Sequence, residues 1–123
     1  QKVSLQAKGQ LCPGYPDIGT GFDAMVLQAL NLDPESVRKF VKEQSPTYPQ
    51  FESWVKEQPG VKIDRATIDS LNGALRTYNH SDTDRKTILS ANGYSDEPPA
   101  PHDAIGLNNL EDWLEFHGRV LAA

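Results

Sequence analysis

Cysteine is almost absent from this chain. Cys12 is the only one in 123 residues, so the chain has no internal disulfide and no metal site built from several cysteines. The sequence also lacks the apolar run of about 20 residues that spans a bilayer, and we expect that no signal peptide remains in it. Low cysteine content is typical of a reducing compartment, so we expect a cytoplasmic protein with no membrane segment. Because the chain begins with Gln1 rather than Met, we also expect a processed or truncated N-terminus.

Concentrated positive charge is missing as well. The chain has 12 Lys and Arg against 17 Asp and Glu, which gives a formal net charge of −5. Its densest basic group is Arg38, Lys39 and Lys42. That group lies in a predicted helix opening with Asp33 and Glu35, and such an arrangement complements the helix dipole. Since nucleic-acid binders usually present a basic face to the phosphates, we expect no nucleic-acid partner.

Alternating apolar and polar residues, the pattern of a half-buried strand, are also lacking. Apolar residues recur instead at spacings of three and four, as in Phe22, Met25, Val26 and Ala29. This spacing is typical of helices that bury one face. The sequence therefore predicts an all-α fold, a compact irregular or orthogonal bundle of about five to seven short helices. We expect it to form a single helical domain over residues 1–123.

Capping residues mark the predicted helix starts. Thr20 with Asp23, and Ser81 with Asp84, have the spacing of capping boxes. Asn108 or Asn109 is expected to cap the last helix, after an acidic, proline-rich loop. The other predicted starts are Asp33, Thr47 and Asp64. The last helix carries an apolar seam, which we expect to be buried and which consists of Leu110, Trp113, Leu114, His117 and Leu121.

The segment from Gly9 to Asp23 differs from the helical remainder, since it holds four of the nine glycines and the only cysteine. A nucleophilic cysteine needs its pKa lowered by a helix N-terminus or a histidine, and His102 or His117 could supply one. The alternative, which is more usual, is that Cys12 is a small buried hydrophobic residue.

Gly19, Thr20 and Gly21 stand directly before a predicted helix. Backbone N–H groups at such a position can form an anion-binding nest. Asp17 and Asp23 would repel an anion there, so the alternative is that the glycines serve a tight turn. The candidate ligand-binding residues are Cys12, Tyr15, Asp17, Gly19, Thr20, Gly21, His102 and His117.

Metal binding has little support in the sequence. His80, His102 and His117 are dispersed, and the acidic loop residues lack the register of a calcium-binding loop. The carboxylate pair Glu111 and Glu115 has no histidine at the spacing of a di-metal helix motif. We therefore expect neither a metal nor another cofactor.

The first part of the chain carries an ordered set of motifs. Lys-x-x-Leu-x-x-x-Gly-x-Leu is formed by Lys2, Leu5, Gly9 and Leu11. A Pro/Tyr segment and Gly-Thr-Gly-Phe-Asp at 19–23 follow. This order resembles a bacterial family of small helical proteins, domain of unknown function five-zero-six-nine, in which more residues precede the first motif. The resemblance is sharpest over 2–23 and implies a helical, single-domain protein. That family has no assigned reaction, so the resemblance implies no catalytic residue.

Nearly every polar residue is explained as a cap or as part of a solvated face. We therefore expect a small acidic accessory or protein-interaction domain without catalysis of its own. Such a protein would bury an apolar patch against a protein partner or in a homodimer. The alternative is a small-molecule binding protein or an enzyme with a site around Cys12–Gly21.

Overall fold

The structure, a computed structural model, describes residues 1–122, and most of them are helical. The helices are α1 (Lys2–Ala7), α2 (Phe22–Ala29), α3 (Pro34–Gln44), α4 (Tyr48–Lys56), α5 (Arg65–Thr77), α6 (Asp82–Ala91), α7 (Ala104–Phe116) and a π-helical turn (His117–Leu121). Residues 1–122 contain no β-strand, only an isolated bridge between Asn79 and Asp103. The predicted all-α fold of short helices is confirmed.

The chain divides into two compact units, Gln1–Asn72 and Gly73–Ala123, and the division falls within α5. Each unit contains its own cluster of buried apolar side chains. The single helical domain expected over 1–123 stays a prediction.

The first unit is organised around α3. Asp33 caps this helix by accepting a hydrogen bond from the backbone N–H of Ser36 at 2.9 Å, as its position in the sequence predicts. Pro34 occupies the first turn, where a backbone N–H has no helical partner. Val37 and Val41, four residues apart, are both buried on one face of the helix. They form the core of the unit together with Leu32 and Val55.

Helix α4 adds aromatic residues to the same core. The backbone N–H of Thr47 donates to Oε1 of Gln50 at 2.8 Å, so the predicted start of this helix is confirmed. Trp54 stacks on Phe40 with ring centroids 4.6 Å apart, and Phe51 lies 5.8 Å from Trp54. Side chains of α3 and α4 are thereby packed into one layer.

The second unit is organised around α6 and α7. Ser81 caps α6 by accepting a hydrogen bond from the backbone N–H of Asp84 at 3.1 Å, so the predicted cap is confirmed. The Ser81 hydroxyl also donates to Oδ2 of Asp84 at 2.7 Å. The backbone N–H of Ala104 donates to the carbonyl of Tyr78 at 3.0 Å, which ties the end of α5 to the start of α7. The buried cluster consists of Ile88, Leu89, Ala100 and Leu107.

The predicted start of the last helix is wrong. Helix α7 begins at Ala104 because Asp103 caps it, accepting a hydrogen bond from the backbone N–H of Gly106 at 2.7 Å. The proline-rich loop is therefore shorter than expected. Asn108, one of the two expected caps, lies inside the helix and contacts His80 with its side-chain oxygen. Asn109, the other, also lies inside α7.

Candidate functional site

Asp17 fastens the end of the Cys12–Asp17 segment to α3. Arg38 donates from Nε to Oδ2 of Asp17 at 2.7 Å and from Nη2 to Oδ1 at 2.9 Å. The backbone N–H of Ile18 donates to Oδ1 at 2.7 Å. These bonds, led by those of the Arg38 guanidinium, hold the pKa of Asp17 below its usual range. The carboxylate of this candidate ligand residue is therefore occupied by groups of the chain itself.

Arg38 is the functional neighbour that the sequence interpretation missed. The basic residues of α3 were assigned to the helix dipole, and Arg38 does pair with Glu35 one turn earlier. Its bidentate contact, however, is with Asp17, 21 residues away. No local spacing rule indicates a pair at that separation, because the pair depends on how the irregular segment passes α3.

Cys12 and Tyr15 belong to one tight turn. The backbone N–H of Tyr15 donates to the carbonyl of Cys12 at 3.3 Å, and Gly14 between them has φ +89°. Pro at the second position and a positive-φ glycine at the third are the signature of a type II turn. Cys12 is half-buried and Tyr15 is 40% exposed. The crowding of proline and glycine here thus has a structural reason, and the site around it stays a prediction.

The turn before α2 is occupied by a carboxylate of the chain. The predicted capping box of Thr20 and Asp23 is wrong, because Gly21 is the N-cap of α2 and Thr20 is exposed outside the helix. Oδ2 of Asp23 instead accepts from the backbone N–H of Gly19 at 2.8 Å and pairs with the Lys2 ammonium. A Cβ on Gly19 would lie 3.3 Å from that oxygen, so glycine permits the close approach. Asp23 is thus the anion bound at this turn.

The histidines of the predicted site lie in the second unit. His102 and His117 are exposed there, so neither unit alone contains the full set of candidate residues. Nε2 of His80 lies 2.9 Å from Oδ1 of Asn108. Within residues 1–122, no three His, Cys, Asp or Glu side chains are grouped as a metal site.

The apolar seam of α7 is mostly exposed, and its predicted burial is wrong. Only the first half of the helix contributes fully buried side chains, Ala104 and Leu107. Further along, Trp113 is 65% exposed, Leu114 42% and Leu121 60%. Helical spacing identifies residues that share a face, but it does not identify what covers that face. The structure places this part of the seam in solvent.

Five exposed apolar residues lie at the end of α7 and in the π-helical turn that follows it. We call them the α7 face, and they are Trp113, Leu114, Phe116, Val120 and Leu121. The rings of Trp113 and Phe116 meet edge to face, with centroids 5.8 Å apart and planes at 72°. Both rings border an open depression of about 410 Å³, which Asn109 and Asp112 also line. The aromatic pair is thus presented outward on a regular helix.

Among residues 1–122, no helix has both the length and the apolar composition needed to cross a membrane. Comparisons with protein-family models, with curated proteins and with solved structures find no match for this chain. The resemblance of residues 2–23 to the bacterial helical family accordingly stays a prediction. An assignment of function therefore depends on the geometry of the two units.

Proposed function

We propose that this protein is a non-catalytic interaction domain whose second unit binds a protein through the α7 face. The observation that carries the proposal is the exposure of five large apolar side chains on consecutive turns. Single exposed apolar residues are ordinary on protein surfaces. Contiguous ones with aromatic members mark interaction sites far more often.

The area of the α7 face fits a modest interface. From the exposed fractions, 65% for Trp113 and 60% for both Val120 and Leu121, the face offers apolar area on the order of 500 Å². Specific interfaces bury about 800 Å² on each partner. With its surrounding rim the α7 face approaches that size, so we expect a reversible rather than a permanent complex.

The charges of α7 favour apolar contact at this face. Glu111 and Glu115 are four residues apart, so they share one side of the helix, roughly 200° around the axis from Trp113. Docking on the α7 face would therefore leave these carboxylates outside the contact. Asp112 alone borders the aromatic depression. Binding at the α7 face removes few charged groups from water, and such removal is the main free-energy cost at a polar interface.

The partner we propose is a second copy of the chain. A two-fold dimer pairs the same patch with itself, and Asp112 is the one charged residue lining the aromatic depression, so few like charges come together. Trp113 and Phe116 would form the centre of the contact, since interface energy concentrates in aromatic side chains at the middle of the patch.

The test is the oligomeric state of the protein over a range of concentration. Native mass spectrometry and sedimentation velocity should show a reversible dimer in the micromolar range. Trp113→Ser should weaken it about tenfold or more, since central aromatic anchors carry much of the binding energy. Tyr48→Ser is the matched control, because Tyr48 is 77% exposed but lies in the first unit. A protein that stays monomeric at the highest concentration and retains no partner when purified from its host would overturn the proposal.

A further inference from the structure

The first unit contains a cavity that belongs neither to the α7 face nor to the Cys12–Asp17 segment. It has a volume of about 460 Å³ and is lined by residues from α1, α3 and α4 and from the turn before α4. This volume lies within the range of small-molecule sites, roughly 300–1,000 Å³. The apolar part of its lining consists of Val3, Leu5, Val37, Val41, Pro46 and Phe51.

The polar part of the lining is small and uncharged. Gln1 contributes its side-chain amide, Ser4, Thr47 and Tyr48 contribute hydroxyl groups, and no lining side chain carries a charge at neutral pH. A charged ligand would lose its hydration in this cavity without gaining an opposite charge from a side chain. We propose that the cavity binds a neutral, largely apolar small molecule.

Part of the cavity lining belongs to the core of the unit. Val37 and Val41 at its base are 4% and 6% exposed and belong to the core of the unit. Helix α1, which forms another wall, is fastened by the ion pair of Lys2 with Asp23. When an apolar cavity is already formed, little of the binding free energy is lost in ordering its lining.

A pair of fluorescent probes tests the charge preference. N-phenyl-1-naphthylamine is neutral and apolar, and 1-anilinonaphthalene-8-sulfonate is its close anionic relative. We expect saturable binding of the neutral probe, about tenfold tighter than that of the anion, because the side chains offer no opposite charge. Equal affinity for the two probes, or no saturation by the neutral one, would contradict the proposal.

Matched variants locate the binding. Ser4→Glu should weaken the neutral probe about tenfold by placing a carboxylate in the lining. Gln6→Glu, on the same helix but outside the lining, should leave it unchanged. Tyr48→Asp gives a second test, since an acidic residue at the first position of α4 suits the helix dipole and preserves the fold. Circular dichroism verifies that each variant is folded.

A further variant separates this inference from the proposed interaction. Trp113→Ser removes an apolar residue from the α7 face, where an apolar probe could also bind. If Trp113→Ser binds the neutral probe with unchanged affinity, the result supports binding in the cavity. If Trp113→Ser loses affinity while Ser4→Glu and Tyr48→Asp do not, the cavity proposal is overturned. The dimer and the cavity can thus fail independently.

Discussion

Each unit holds an irregular segment against a helix by an aspartate–arginine pair, but the two segments are fastened differently. In the first unit Arg38 donates hydrogen bonds to Asp17 from Nε and Nη2. In the second, Arg85 of α6 contacts both oxygens of Asp96 through Nη1 and Nη2, with 3.0 Å from Nη2 to Oδ2. Both arginines also pair with a carboxylate three residues earlier in their own helix. The polar part of the two arrangements is thus nearly the same.

The apolar part differs. Ala100, four residues after Asp96, is 5% exposed and belongs to the buried cluster of the second unit with Leu107. No residue of 12–17 is buried in that way. Because burial of apolar surface supplies most of the stabilising free energy, the second segment should stay in place without its ion pair. We expect the first segment to depend more strongly on the hydrogen bonds that Asp17 accepts.

The largest effect should come from removing the apolar anchor of the second unit. Leu107 is 0% exposed, so Leu107→Ala leaves a cavity and should lower the free energy of unfolding by about 2–5 kcal/mol. Urea unfolding followed by circular dichroism measures this change. Ile105→Ala on the same helix, where the side chain is 42% exposed, should cost less than about 1 kcal/mol. Equal losses in the two variants would show that the core of this unit is not where the structure places it.

Removing each aspartate compares the two segments directly. Asp17→Ala should speed amide exchange at Tyr15 about tenfold or more, because local opening no longer breaks the contact with Arg38. Asp96→Ala should speed exchange at Ala100, whose backbone N–H donates to the Glu97 carbonyl at 2.9 Å, by less than about threefold. Hydrogen exchange by NMR measures both. A larger effect in the second segment would reverse the comparison.

The sequence predicts the local parts of this architecture well. Asp33 and Ser81 were identified as caps because a cap and the backbone N–H it satisfies lie within three residues. The type II turn at Pro13 and Gly14 has an equally local signature, although its meaning became clear only from the structure. Helix count and class follow from such signals together with apolar spacing.

Contacts between distant residues could not be predicted in this way. Asp103 and Asn108 can both cap a helix, and in the structure the cap is Asp103, next to the distant hydrogen bond from Ala104 to Tyr78. The exposure of Trp113 has a similar origin, since an apolar stripe has the same sequence whether the chain covers it or not. Each of these outcomes depends on tertiary packing, which overrides local preference.

Acidification below about pH 3.8 should weaken both ion pairs. Hydrogen bonds from arginine, the largest cause in each case, lower the pKa of Asp17 and of Asp96 below the usual value of 3.8. A carboxyl group whose pKa is lower in the folded protein stabilises it above pH 3.8, and this stabilisation is lost as the pH falls through the folded pKa. Carboxyl carbon shifts in an NMR titration report each pKa.

The variant Arg38→Gln tests whether the two aspartates titrate independently. It should return the pKa of Asp17 toward 3.8, while the pKa of Asp96 stays low because Arg85 is intact. Amide exchange at Tyr15 should already be faster in this variant, as in Asp17→Ala, because the contact between Arg38 and Asp17 is lost. If both aspartates shifted together in this variant, the two pairs would not be independent.

The smallest effect is expected at the helix starts, where the two units differ again. Ser81 caps α6 with its hydroxyl, so Ser81→Ala should lower the free energy of unfolding by about 1 kcal/mol. Thr20→Ala should change it by less than about 0.5 kcal/mol, because Gly21 is the N-cap of α2 and Asp23 is held by Gly19 and Lys2. Urea unfolding distinguishes the two variants. If Thr20→Ala lowered the free energy of unfolding as much as Ser81→Ala, the predicted capping box of Thr20 and Asp23 would be correct. Asp23 would then not be the anion bound at that turn.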